Sequence, residues 1–152
     1  MNKTSLSHTL LKEIGFTLLA EGKTLKVRAD GYSMYPTIRP RSVIYIDFPG
    51  KGADFAPGEI IAWKRDSGFV VHRLISTYVA DGKKFCITRG DSSLYDDDPV
   101  PFEQIAGRVT MIESPDGKTV QAAILKNKKP NYRCNRFLLR IILQFSRLKR
   151  LF

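Results

Sequence analysis

Apolar positions recur along the chain at two different periods. Between Ser5 and Ala20, Leu6, Leu10, Leu11, Ile14, Leu18 and Leu19 fall three and four residues apart, the spacing of a helix with one apolar face. Ser5 or Ser7 can cap it and Gly22 can stop it, so residues 1–24 are expected to form a leading helix that packs on the body. From Leu25 the pattern changes. Leu25–Ala29, Ser42–Asp47, Glu59–Lys64, Phe69–Val79, Phe85–Arg89 and Ile105–Glu113 are short runs rich in β-branched and aromatic residues. Turn signals bound them: Asp30-Gly31, Pro49-Gly50, Pro57-Gly58, Ser67-Gly68, Asp81-Gly82, Gly90-Asp91 and Asp116-Gly117. Asp66-Ser67-Gly68 and Asp81-Gly82 have the composition of hairpin loops. Strands at this spacing, with no helical pattern between them, predict a mainly β body of curved antiparallel sheets over residues 25–125.

Residues 126–130, Lys-Asn-Lys-Lys-Pro, are polar and end in proline, the composition of a linker. Residues 131–152 then return to the helical period. At 100° per residue, Phe137, Ile141, Phe145, Leu148 and Phe152 share one sector, flanked by Leu138 and Ile142. Arg133, Arg136, Arg140, Arg147 and Arg150 gather on the other side. Besides binding a nucleic acid or an acidic protein groove, two outcomes suit a basic amphipathic helix of this kind. Its apolar face packs on the body with the arginines in solvent, or it lies on an anionic membrane surface.

Charge sharpens this division. The net charge of the 152-residue chain is +10, yet residues 1–116 carry fifteen Lys/Arg against fifteen Asp/Glu. Residues 117–152 carry ten Lys/Arg and no acid. A neutral body with a basic tail argues against a nucleic-acid protein, whose basic surface would extend over the fold. No run without Asp, Glu, Lys or Arg exceeds eight residues, so no membrane-spanning helix is expected. Lys12 and Glu13 interrupt the one candidate for a secretory signal. Cys86 and Cys134 make neither a disulfide framework nor a zinc set. A cytoplasmic chain, peripherally membrane-associated at most, is the expectation.

Three segments carry residues suited to chemistry. In Gly31-Tyr32-Ser33-Met34-Tyr35-Pro36, a serine follows a strand and a glycine and precedes a proline. A sharp turn there would expose the hydroxyl of Ser33 and nearby backbone N–H groups, as a nucleophile and its oxyanion require. A solvent-facing turn serine is the plain alternative. In Val70-Val71-His72-Arg73-Leu74, period-two alternation puts His72 on the sheet face opposite Val71 and Arg73. A satisfied, half-buried histidine is the plain alternative there. His8 has no polar partner nearby in sequence and reads as a surface residue. The third segment places Asp91, Asp96, Asp97 and Asp98 in one acidic loop after a strand. Its spacing does not match a calcium loop, and no metal or cofactor is expected. One of its carboxylates could orient the histidine.

In order and spacing these segments resemble the signal peptidase I superfamily, which includes the LexA-type self-cleaving repressors. Ser33-Met34-Tyr35-Pro36-Thr37 looks like the nucleophile box, and Pro57-Gly58-Glu59-Ile60-Ile61-Ala62-Trp63 like the strand that follows it. Val71-His72-Arg73-Leu74 is similar to the general-base box, and Thr88-Arg89-Gly90-Asp91 to the Lys-Gly-Asp box. Pro99-Val100 and Gln104-Ile105-Ala106-Gly107-Arg108-Val109 resemble the return strand. The base position divides the superfamily: bacterial leader peptidases and repressors have lysine, archaeal and endoplasmic-reticulum-type signal peptidases histidine. His72 matches the histidine branch. The resemblance implies a serine endopeptidase with Ser33 as nucleophile and oxyanion donor, His72 as general base and Asp97 as the orienting acid. Asp91 is then a supporting acid, and Asp96 and Asp98 are alternatives. Tyr35 stands where some members carry a second oxyanion hydroxyl. The substrate implied is an extended peptide or protein segment with small residues at the scissile bond. Imidazole, with an ordinary pKa of about 6.5, can accept a serine proton near neutral pH.

The chain departs from signal peptidases in the expected lack of an amino-terminal anchor, which favours a peptidase acting on a particular partner or small precursor. Two rival functions follow from the same residues. A self-cleaving regulator needs a DNA-binding region and a scissile pair ahead of the nucleophile. About 25 residues precede the sheet, too few for a helix-turn-helix domain, and the only Ala-Gly pair, Ala106-Gly107, falls after Ser33 in a predicted strand. A non-enzymatic binding module would keep the fold and use its basic tail.

Overall fold

The computed structural model describes residue 17 and residues 21–48, 50, 52–65 and 68–148. Of the predicted leading segment, residues 1–24, only Thr17 and residues 21–24 are described: Thr17 is helical and accepts a bond from the Glu21 N–H at 3.0 Å, whereas residues 21–24 form a turn and a short non-helical lead into the sheet.

The body is one open antiparallel sheet of eight strands. In chain order these are β1 (Leu25–Ala29), β2 (Ser42–Asp47), β3 (Ile60–Arg65), β4 (Gly68–Ala80), β5 (Lys83–Arg89), β6 (Val100–Pro101), β7 (Ile105–Glu113) and β8 (Thr119–Gln121). Their spatial order is β1-β2-β7-β3-β4-β5-β6, with β8 added on β7. The six strands expected from alternation are present, with ends shifted by up to two residues. β6 and β8 have two and three residues, too short to set up a period. The β4–β5 hairpin turns at Asp81 and Gly82, with φ of 49° and 71°. Positive φ at both central residues gives the turn whose twist matches the strands it joins.

β3 and β4 bury both faces, and two cores result. In an antiparallel ladder, paired residues share a face. Ile60 shares one face with Arg73, and Ala62 shares it with Val71, while Ile61 faces the other way with His72. Ile60 and Ala62 join Ile44, Ile46, Met34, Ile38, Val109 and Ile112 in the first core. Ile61 and Leu74 join Phe55, Cys86, Val100 and Ile105 in the second. Burial pushes the Cys86 thiol upward in pKa, which keeps it protonated and unreactive, whereas Cys134 is exposed. Thiol titration of the native protein should therefore count one reactive cysteine, and the second should appear only on unfolding. Two fast-reacting thiols before unfolding would contradict this packing.

Helix α1 spans Tyr132–Leu148; the last four residues of the predicted helix lie outside the described residues. Asn131 caps it, its side-chain oxygen accepting the Cys134 N–H at 3.1 Å. Asn135 and Leu139 are buried, and the Asn135 amide ties the helix to the body by donating to the Asp91 carbonyl at 2.9 Å. The aromatic sector picked out by periodicity is not the docked one. Phe137, Leu138 and Phe145 are exposed. No helix among the described residues is long and apolar enough to cross a membrane.

Candidate active site

Ser33 sits in the turn region between β1 and β2. Met34 and Ile38, which follow it, are buried in the first core, and Ser33 itself is exposed. Bonds from Tyr35 N–H to Tyr32 C=O (3.0 Å) and Ile38 N–H to Met34 C=O (2.9 Å) close the loop, which includes a cis Tyr35–Pro36 bond. A second loop, from the end of β5, holds the turn from behind. Ser92 donates its N–H to the Ser33 carbonyl at 2.9 Å, and its hydroxyl lies 2.8 Å from the Tyr32 carbonyl and 3.0 Å from that of Ser33. This approach requires Gly90. A Cβ there would stand 2.6 Å from the Ser33 carbonyl oxygen and 3.1 Å from the Ser33 Cβ. The Ser33 N–H makes no hydrogen bond among the described residues.

His72 lies mid-way along β4 and is buried. Its Nδ1 is 2.6 Å from Asp97 Oδ2. Asp97 is fixed twice more: Thr88 Oγ1 donates to the same carboxylate oxygen at 2.5 Å, and the Asp97 N–H donates to the Thr88 carbonyl at 2.8 Å. Partial burial of Asp97 works against its charge. Hydrogen bonds from His72 and Thr88, with the charges of His72 and Arg65, outweigh that and hold the carboxyl below its ordinary pKa. An ionised carboxylate only accepts, so whenever the ring is neutral Nδ1 carries its proton and Nε2 bears the lone pair.

The other acids of the loop have different positions. Asp91 is fully buried and receives both Arg73 Nε (2.9 Å) and Nη2 (2.8 Å). Thr37 of the serine loop also donates to Asp91, and Asn135 of α1 donates to its backbone carbonyl at 2.9 Å. Arg73 Nη1 adds bonds to the carbonyls of Gly58 (2.8 Å) and Leu125 (2.9 Å). This ion pair therefore joins the serine loop, the acidic loop, the Gly58 turn, the 3-10 turn ending at Leu125 and the helix. Asp96 pairs with Arg89 at 2.6 Å on the surface, and Asp98 is exposed.

Ser33 and His72 line one cavity of about 410 Å³ with Val27, Ala29, Met34, Ile44, Phe69 and Val71, so its wall is largely apolar. Arg28, Asp30 and Arg65 stand among its polar lining. No hydrogen bond joins the Ser33 hydroxyl to the His72 ring. Tyr35 is half-buried and does not line the cavity. No group of three His, Cys, Asp or Glu side chains among the described residues is placed to hold a metal.

Sequence reasoning missed the roles of Arg73, Thr88, Ser92 and Asn135. Arg73 and Thr88 lay within the segments singled out, and the pairing of a lone buried arginine with Asp91 was the available signal. Nothing in the hydrophobic pattern marked Ser92 or Asn135. Compared with known proteins, the chain matches no family model and no curated protein.

Proposed function

We propose that the chain is a serine endopeptidase of the signal peptidase I and LexA-like type, in the branch with a histidine base. The observation that carries this reading is the shared cavity of Ser33 and His72, with Asp97 bonded to the far ring nitrogen. In the first step the Ser33 hydroxyl oxygen attacks the scissile carbonyl carbon while His72 Nε2 takes its proton. The oxyanion gathers on the side of the Ser33 N–H, and Asp97 stabilises the imidazolium. The imidazolium then protonates the leaving amine, which leaves an acyl-Ser33 ester. Water then attacks the ester while the same nitrogen takes its proton, and that proton passes to the departing Ser33 oxygen, which releases the acid product and restores the hydroxyl. A hydroxyl and ring that are not yet bonded are compatible with this route, because such contacts tighten once substrate is bound. The cavity's β1 residues suit a substrate lying extended along the sheet, and its apolar wall suits small uncharged side chains. Self-cleavage is disfavoured because Ala106 and Gly107 are buried in β7.

A serine-reactive fluorophosphonate probe should label the wild-type protein, with peptide mapping placing the adduct on Ser33. His72→Ala should suppress the labelling. Equal labelling of wild type and Ser33→Ala would remove the proposed mechanism.

A further inference from the structure

We propose that α1 is a docking element for an anionic phospholipid surface, resting on the body by one face and on lipid by the other. The body side is Asn135 and Leu139, which are buried. Phe137 and Phe145, each 63% exposed, and Leu138, 41% exposed, lie away from that contact. Cys134, Leu138, Ile141 and Phe145 follow one another at helical spacing and make a continuous stripe. Three large apolar side chains in solvent on one short helix call for a partner that can take them up.

Charge identifies the partner. Arg133 and Arg140 are exposed on the flank of this stripe, and exposed Lys128 and Lys129 stand just before the helix. Residues 117–152 contain no acid. A second copy docking helix to helix would set these cations against one another. A nucleic-acid duplex would pair its phosphates with the arginines and leave the aromatic side chains unused. An anionic bilayer answers both features, because acyl chains receive the rings and phosphate headgroups receive the guanidinium groups. The helix has 17 residues and is therefore about 25 Å long, so it suits a position in the interface plane and not across the bilayer.

The test uses the full chain carrying an environment-sensitive fluorophore on Cys134, the exposed thiol at the head of the stripe. Emission should shift to the blue with phosphatidylcholine vesicles containing phosphatidylglycerol, and not with phosphatidylcholine alone. Phe137→Ser/Phe145→Ser should weaken the apparent vesicle affinity by about tenfold or more. Arg133→Gln/Arg140→Gln should weaken it less, and raising salt from about 0.1 to about 0.5 M should mimic the arginine variant. Co-sedimentation of unlabelled protein with the same vesicles serves as a check on the dye. Three outcomes would overturn the proposal. The first is no shift on anionic vesicles. The second is vesicle binding that survives the double serine substitution. The third is a blue shift without lipid, either growing with protein concentration (a second copy) or produced by an acidic polypeptide. Ser33→Ala should bind vesicles like the wild type, so the result does not depend on the catalytic reading.

Discussion

Asp97→Asn should lower the rate of Ser33 acylation by about 10⁴-fold while leaving the fold in place. The amide can present its N–H to Nδ1, which favours the ring tautomer with the proton on Nε2. That nitrogen then has no lone pair for the serine proton, and the imidazolium loses its counter-charge. Thr88 bears on the result because its hydroxyl donates to the carboxylate oxygen that meets His72. An amide at that position must choose which of the two to face. The measurement is the second-order rate of probe labelling, with circular dichroism as the control for folding. A change of less than about tenfold would mean that Asp97 does not orient the base. The same variant has a second readout. Because the folded Asp97 carboxyl sits below its ordinary value, unfolded chains bind more protons than folded ones in acid. Its contribution to stability is complete above the unfolded pKa of about 3.9 and is lost as pH falls through the folded value. Asp97→Asn should flatten that part of the acid-unfolding curve.

Breaking the Arg73–Asp91 pair should give the largest loss of stability. Arg73 is 4% exposed and Asp91 0%, so removing either leaves the other as a charge cut off from water. Arg73→Met or Asp91→Ala should each cost about 3–5 kcal/mol, a large part of the 5–15 kcal/mol typical of a domain. The double substitution should cost clearly less than the two single losses added together, because it leaves neither charge stranded. Urea unfolding of the four proteins gives the comparison. Strict additivity would show that the two side chains are energetically independent despite two hydrogen bonds between them.

Much of the sheet was legible in the sequence because half-buried strands print their geometry as alternation. Leu25–Ala29, Ser42–Asp47 and Ile105–Glu113 have the bounds that alternation and turn residues predict. β6 and β8 were not legible, being shorter than one full repeat of any pattern. The docking face of α1 was misleading for a different reason. Periodicity ranks faces by apolar content and so selects Phe137, Ile141 and Phe145. The body selects Asn135, whose amide meets a buried carbonyl of Asp91. A hydrogen bond between positions 44 apart leaves no trace in a local pattern. The choice among Asp91, Asp96, Asp97 and Asp98 as the acid beside His72 was likewise tertiary. It is decided by how the loop folds back, with the Asp97 N–H on the Thr88 carbonyl turning that carboxylate toward β4.

The bare α-carbon of residue 90 carries a cost out of proportion to its size. The serine-bearing and acid-bearing segments abut there with no room for a methyl group. Alanine would act as a wedge between the loop of Ser33 and the acidic loop. Under the proposed mechanism, damage of that kind would act on Ser33 acylation through a residue that lines no part of the cavity.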